Sequence, residues 1–461
     1  MKTDTIAAIA TALSESGIGI IRISGEEAVN VADRIFRTKA GNQILTKVES
    51  HTIHYGFIVD KGNIVDEVMV SVMKAPKSYT AEDTVEINCH GGILIMQKIL
   101  ELVLRNGARM AEPGEFTKRA FLNGRIDLAK AEAVIDIIHS KNEFALASSV
   151  SQLKGSLSQV IKRIRAAILY EIAFIESALD DPEHISLDGY PEKLKKNIDA
   201  FIYEIEKLIE SADNGKMMKE GINTVIVGKP NAGKSSLLNV LVGEERAIVT
   251  EVAGTTRDVL QESIRLRGVG LNIIDTAGIR DTEDVVEKIG VEKAKKYAAE
   301  ADLIIYVVDS SVPLDQNDEE IIPLIQQKNT IILLNKSDLE CIVEEDRLVS
   351  QINSEKVRII KTSTKDHTGI DILENEIKEM FFRGDIKVND EVVITNMRHK
   401  EALQDSCESL YQVKSSLEAG MPEDFYSIDL MSAYSYLGKI IGEEVGEDLV
   451  NEIFSKFCMG K

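Results

Sequence analysis

The spacing of apolar positions changes character three times along the chain. Up to about residue 120 it is short and β-like: Ile18–Ile23, Thr52–Val59, Val65–Met73 and Thr84–Asn88 read as strands, bounded by turn residues, with helices over Glu26–Arg37 and Ile93–Asn106. This predicts a compact α+β domain over 1–120. From 121 to 220 the period becomes helical. Leu128, Ala131, Val134, Ile135 and Ile138 share one face, as do Leu157, Val160, Ile161, Ile164, Ile168 and Ile172. Asp180-Asp181-Pro182 interrupts the pattern and Glu192–Ala212 resumes it. From 221 to 382 apolar strands at Asn223–Val227, Asn272–Asp275, Leu303–Asp309, Thr330–Asn335 and Val357–Lys361 are separated by helical stretches, the signature of a mostly parallel α/β sheet. The segment 383–461 is helical again and too short for a secure core of its own. The expectation is therefore one all-α domain split around an inserted α/β domain.

Composition narrows the classes. The 461 residues carry 54 Lys+Arg against 76 Asp+Glu, a net charge of −22. A wide basic footprint for nucleic acid is therefore absent, and any RNA contact must be local or shared with another protein. Lys118, Arg119, Arg125 and Lys130 form the one local basic cluster to nominate for it. With 44% hydrophobic residues the chain can bury real cores. No apolar run approaches the ~18–20 residues of a membrane span. Ile6–Leu13 is apolar and contains an A-x-A pattern, but Asp4 stands where a signal peptide carries positive charge, so no cleaved signal is expected. Four widely spaced cysteines (89, 341, 407, 458) suit neither a zinc ribbon nor a disulfide scaffold, and fit a reducing cytosol.

The chemistry sits in the α/β region. Gly228-Lys229-Pro230-Asn231-Ala232-Gly233-Lys234-Ser235 fits G-x-x-x-x-G-K-[ST], follows a predicted strand and opens a helix. Its backbone N–H groups would cradle phosphates, Lys234 would reach the β- and γ-phosphates, and Ser235 would bind Mg²⁺. Asp275-Thr276-Ala277-Gly278 ends another strand, placing Asp275 near the Mg²⁺ shell and the Gly278 N–H near the γ-phosphate. Asn335-Lys336-Ser337-Asp338 ends a third; the Asp338 carboxylate can accept guanine N1–H and N2–H together, which adenine does not offer. Ser363-Thr364-Lys365 ends the last strand, where a backbone N–H could meet guanine O6. Thr255 and Thr256 fall in a candidate switch loop, with the Thr256 hydroxyl a second Mg²⁺ ligand. Four such motifs in order, each at a strand end, predict a Ras-like P-loop GTPase domain.

Ras-like enzymes place a water-orienting Gln after D-x-x-G. Here that position is Ile279, which can neither donate nor accept a hydrogen bond. Arg257 and Arg280 could stabilise charge. The Asn231 side-chain carbonyl could instead hold a monovalent cation beside the phosphates.

The whole length resembles the MnmE (TrmE) family of tRNA modification GTPases. The likeness rests on Ile21-Arg22-Ile23-Ser24-Gly25, on Ser78-Tyr79-Thr80-Ala81-Glu82-Asp83 with Glu86 and His90-Gly91-Gly92, and on the stretch from Pro113 to Arg125. Gly254-Thr255-Thr256-Arg257-Asp258 and Phe457-Cys458-Met459-Gly460-Lys461 complete it. The 113–125 stretch and the final C-x-G-K are the specific parts. Met459 where the family often has Ile, and Thr364 where Ala is usual, are the departures.

The resemblance implies a cytosolic homodimer joined through N-terminal domains. That dimer would act with an FAD-containing partner, MnmG, on the wobble uridine (U34) of certain tRNAs. Together they would install a (carboxymethyl)aminomethyl-type group at C5, with the tRNA shared between the two proteins. A one-carbon unit would come from 5-formyl-tetrahydrofolate or a related folate in the 1–120 domain, contacted by Arg22, Glu86, Arg125 and Lys461. The resemblance also implies K⁺ held by Asn231, Thr250, Val252 and Thr255, and a catalytic Glu287 acting on the attacking water. It extends the GTP site over Asn231, Ala232, Gly233, Lys234, Ser235 and Ser236, over Thr250, Glu251, Val252, Ala253, Gly254, Thr255 and Thr256, and over Thr276 and Ala277. The competing reading is a GTP-switched ribosome-assembly factor; such factors carry a basic RNA-binding module, and this chain is acidic. A membrane-remodelling GTPase would need an anchor or a basic amphipathic face.

Overall fold

A computed structural model describes residues 4–140, 142–244, 261–266, 269–274, 301–325, 328–343, 345–352, 356–381 and 392–460. The chain forms two compact units, each discontinuous in sequence. One comprises 1–138, 150–202 and 405–461, the other 139–149 and 203–404.

The first unit begins with β1 (Ile6–Ile9), β2 (Ser16–Ser24), α1 (Ala28–Ile35), β3 (Phe36–Arg37), β4 (Thr52–Asp60), β5 (Asn63–Met73), β6 (Thr84–Gly91), α2 (Ile93–Arg105) and β7 (Arg109–Met110). The strands make a seven-stranded sheet in the order β3-β4-β5-β6-β2-β1-β7, antiparallel except for the β1–β7 pair. Alternation decides its faces. Ile21, Ile23, Val68, Val70, Val72, Val85 and Ile87 turn inward and are buried with Val31, Ile35, Met96, Ile99 and Val103 of α1 and α2. Intervening residues take the other face, which carries Ile18, Ile53, Tyr55 and Met69 at 58%, 68%, 54% and 50% exposure. The apolar N-terminal run that resembled a signal segment is β1, with Ile6 and Ala7 fully buried.

Next come α3 (Glu115–Leu122), α4 (Leu128–His139), α5 (Glu143–Lys154), α6 (Ser156–Asp180) and α7 (Tyr190–Glu220). The predicted break at Asp181-Pro182 separates α6 from α7.

The second unit holds β8 (Ile222–Val227), α8 (Lys234–Glu244), β9 (Gln261–Leu266), β10 (Val269–Ile274), β11 (Leu303–Asp309), α9 (Gln316–Ile325), β12 (Asn329–Asn335), α10 (Glu345–Ile352), β13 (Val357–Lys361) and α11 (Ile370–Phe381). Its sheet runs β13-β12-β11-β8-β10-β9, parallel except for the edge strand β9. A continuous apolar run marks a strand covered on both faces. In β11, Leu303, Ile305 and Val307 join one core while Ile304, Tyr306 and Val308 join the other.

The chain ends with α12 (Met397–Glu418), α13 (Glu423–Ile441) and α14 (Glu447–Ser455). In the first unit Val450, Phe454 and Phe457 pack on Leu128 and Ala131. Arg165 of α6 donates to the Tyr434 carbonyl, pairs with Glu443 and lies 3.9 Å from the Tyr434 ring centroid, tying α6 to α13. The architecture is thus multidomain, an α+β sheet domain and α-helical segments with an inserted α/β P-loop domain. Among the described residues no helix is long and apolar enough to cross a membrane, and the four cysteines are free thiols.

Candidate functional site

The nucleotide machinery of the second unit collects at the carboxyl ends of parallel strands, where open α/β sheets bind ligands. The loop Gly228–Gly233 leaves the end of central β8, and α8 starts at Lys234. Gly233 has φ +104°, and a Cβ there would fall on the amide nitrogen of Asn335, so both backbone and space demand glycine. Asn231 also has positive φ, 64°, and is exposed. Lys234 Nζ donates to the Gly228 and Lys229 carbonyls, both at 2.7 Å, so its ammonium is held at the mouth of the loop. Ser235 and Ser236 are exposed on the first turn of α8, where backbone N–H groups and the helix dipole favour an anion. The Ser235 hydroxyl is a hard oxygen donor, which suits Mg²⁺.

The base side is assembled around Asn335, which is 1% exposed. Its Nδ2 donates to the Ala232 carbonyl at 2.8 Å, and its Oδ1 accepts the Thr364 N–H at 3.2 Å. One side chain thus clamps the P-loop to the Ser363–Lys365 turn. Ser363 Oγ donates to Asp338 Oδ1 at 3.0 Å, orienting the carboxylate, while Lys365 lies 3.8 Å from its other oxygen. Lys336, at φ 61°, donates to Asp309 Oδ2 at 2.5 Å. Burial alone would raise the Asp309 pKa, but the bonds from Lys336 and Ser311 outweigh it and hold the carboxyl below its ordinary range.

Sequence reasoning missed Lys229. Its ammonium lies 3.0 Å from Asp315 and 2.5 Å from the buried Asp318, and Asp318 accepts the buried Tyr306 hydroxyl at 2.5 Å. Desolvation would lower the Lys229 pKa; the two carboxylates override that and raise it. The start of the P-loop is thereby anchored to β11. Thr250, Glu251, Val252, Ala253, Gly254, Thr255, Thr256, Asp275, Thr276, Ala277, Gly278 and Glu287 lie outside the described residues, as does Lys461.

A second constellation forms in the first unit. Arg22 of β2 and Glu86 of β6 are directly opposed in the register, and Arg22 Nε donates to Glu86 Oε1 at 2.9 Å. Arg22 also donates to the Gly460 carbonyl at 3.0 Å, joining residues 438 positions apart. Its guanidinium lies 5.2 Å from the Tyr79 ring centroid and 5.6 Å from that of Phe116. Arg125 lies 5.1 Å from the same Tyr79 ring. Three residues predicted to act together, Arg22, Glu86 and Arg125, are therefore gathered in one place. Gly460, at φ +84°, sits so close to β1 that a Cβ would fall on the Ile9 carbonyl oxygen. On the same face a cleft of about 320 Å³ is lined by Ile18, Tyr55, Met69, Asn88 and His90. Asn88 is two residues along β6 from Glu86, about 7 Å by strand geometry.

Arg119 is not part of an RNA-binding surface. It is 7% exposed and donates to Asp4 at 2.8 Å, Glu115 at 3.0 Å and Glu82 at 3.1 Å. Lys118 donates to Asn451 at 2.7 Å and Lys130 pairs loosely with Asp127. Arg119 is in space a packing device that fastens Asp4 and the Tyr79 loop to α3.

The family described as GTP-binding protein TrmE N-terminus matches residues 5–125, and that described as MnmE helical domain matches residues 128–458. A tRNA modification GTPase MnmE of Lachnoclostridium phytofermentans is 60% identical over 461 residues, covering all of both chains. Proteins of the same name from Clostridioides difficile and Acetivibrio thermocellus are 50% and 48% identical, each covering 99% or more of both chains. A guanine-type base clamp on a P-loop sheet, carried through these full-length likenesses, makes the chain a GTPase that belongs to the MnmE (TrmE) family of tRNA modification GTPases.

Proposed function

We propose that the protein is a K⁺-stimulated GTP hydrolase that works with MnmG in the cytoplasm. Its product would be a (carboxymethyl)aminomethyl group at C5 of the wobble uridine, U34, of certain tRNAs, built with a one-carbon unit from 5-formyl-tetrahydrofolate or a related folate. The division of labour is 1–120 for folate and dimerisation, 221–382 for GTP, and 121–220 with 383–461 as the helical domain. The observation that carries this reading is the gathering of Arg22, Glu86 and Arg125 around Tyr79 in a chain that also holds a guanine-nucleotide clamp.

The residues fit these ligands chemically. Guanidinium groups suit the carboxylates of a folate's glutamate tail, and the Glu86 carboxylate suits the N–H edge of a pterin. Lys461 belongs to the same set. The open sheet face bearing Ile18, Ile53, Tyr55 and Met69, each half or more exposed, supports a homodimer through this domain, since several large apolar side chains exposed on one face favour a partner.

In the GTP site, P-loop N–H groups and Lys234 bind the phosphates, and Asp338 reads the base. Mg²⁺ on Ser235 and Thr256, and K⁺ on Asn231, Thr250, Val252 and Thr255, would neutralise charge that develops on the phosphates. Glu287 polarises the attacking water, the role left vacant by Ile279. The deciding experiment is calorimetric titration of the full-length chain with 5-formyl-tetrahydrofolate. Saturable binding is expected. Its absence in a chain that still binds GTP would remove the folate step from the reading.

A further inference from the structure

Lys229 is the second residue of the P-loop, and its main chain and side chain serve different partners. Its carbonyl accepts Lys234 Nζ at 2.7 Å, as the Gly228 carbonyl does. Its ammonium pairs with Asp318 at 2.5 Å and with Asp315 at 3.0 Å. One of the two carbonyls that hold the phosphate-binding lysine therefore belongs to a residue tied down outside the loop.

The tie is stiff. Asp318 is 1% exposed, and its two carboxylate oxygens take three donors: the Tyr306 hydroxyl at 2.5 Å, the Asp315 N–H at 2.9 Å and Lys229 Nζ. Tyr306 is fully buried in β11, an interior strand of the sheet. The bond from the Asp315 N–H is half of a capping box, made by the third residue of α9 to the residue before the helix. β11, the start of α9 and the P-loop thus meet on one carboxylate. Gly228 gives the loop no side chain to be held by, since a Cβ there would fall on the Val307 carbonyl oxygen. The far end of the loop is fixed separately, by Asn335 at the Ala232 carbonyl. During hydrolysis charge develops on the phosphates, so a displaced ammonium loses more in the transition state than in the ground state.

We propose that Lys229 is a positioning residue for GTP hydrolysis: its ion pair with Asp318 holds the carbonyl that places the Lys234 ammonium against the phosphates. The buried Tyr306–Asp318 pair of the sheet core thereby sets the reach of that ammonium.

The test measures kcat and KM for GTP, in potassium and magnesium buffer, for the full-length wild type, Lys229→Arg and the double variant Lys229→Met/Asp318→Asn. Rates are normalised to the sites titrated by GDP. The double variant removes the pair without leaving a buried charge alone, so a role limited to charge balance is repaired in it. It should bind GDP at wild-type stoichiometry and keep KM within about threefold, while kcat falls by about 10- to 100-fold, the scale of misplacing a reacting group by up to an ångström. Lys229→Arg keeps a cation for both carboxylates and should retain kcat within about threefold. A double variant with wild-type kcat, or with raised KM and unchanged kcat, overturns the proposal. So does a Lys229→Arg variant as slow as the double. Loss of GDP binding by the double variant makes the pair a structural brace and overturns it as well.

Discussion

The nucleotide site and the arginine constellation are built on opposite plans. Every described part of the nucleotide site is a short run at the end of a parallel strand: Gly228–Ser236 after β8, Asn335–Asp338 after β12, Ser363–Lys365 after β13. Backbone groups and local turns do most of the work, and Asn335 joins the runs with one amide. The constellation has no such run. It takes Arg22 from β2, Tyr79 from a loop, Glu86 from β6, Phe116 from α3, Arg125 from beyond α3 and a carbonyl from Gly460. Local sites survive small changes in packing, whereas dispersed sites depend on sheet register and on distant segments staying docked.

Substitutions can break that contrast in order of effect. Lys234→Ala removes the ammonium held by the Gly228 and Lys229 carbonyls and should lower kcat/KM for GTP by about 10³-fold, the scale of losing a charge at a phosphoryl-transfer centre; folate titration of the same variant should be unchanged. Asp338→Asn should weaken GTP by about 100-fold, because two guanine N–H groups lose their charged acceptor, and should improve the relative binding of xanthosine triphosphate, measured by competition. Glu86→Gln should weaken 5-formyl-tetrahydrofolate by about 10- to 50-fold in titration calorimetry, since Arg22 loses its charged partner and the pterin edge its acceptor. Equal sensitivity of GTP turnover to Glu86→Gln and to Lys234→Ala would show that the two plans are not separable.

Acid gives the smallest and most diagnostic effect. Burial would raise the Glu115 pKa, but Arg109, the Glu112 N–H and Arg119 together hold it below its ordinary value of 4.5. A carboxyl whose folded pKa is depressed adds stability that is fully present above the unfolded pKa and is lost as pH falls through the folded one. Removing the charge that Arg109 and Arg119 share, Glu115→Gln should cost about 3–5 kcal/mol of unfolding free energy at neutral pH, a cost that fades in acid as the wild-type carboxyl is protonated, measured in denaturant titrations. Asp309 is depressed in the same direction, so unfolding of the nucleotide unit should show its own acid-dependent loss as pH falls below about 3.8.

The same contrast governs what could be read from the chain before its structure. The nucleotide motifs were legible because their spacing is their geometry. Strands such as Leu303–Asp309 were legible because a short, β-branched run apolar from Leu303 to Val308 suits a strand covered on both sides. β9, Gln261–Leu266, was not seen: it is a polar edge strand in which Ile264 faces the core. β1 was not read as a strand, since four buried apolar residues have the composition of a short leader and only Asp4 argued against one. Arg119 looked like part of a basic surface because charge is visible in sequence and burial is not. Tyr79 was quoted as part of a motif without a role, because its partners at 22 and 125 meet it only after the sheet has formed. Lys229 was hidden for the same reason, its carboxylates lying past β11.

The bond from Arg22 to the Gly460 carbonyl also sets a clock on biosynthesis. Translation at roughly 5–20 residues per second separates the two partners, 438 positions apart, by about 20–90 s. Throughout that interval the nascent N-terminal sheet holds a guanidinium lacking its final acceptor. Completion of the Arg22 constellation would thus come late, after the nucleotide-handling portion has already left the ribosome.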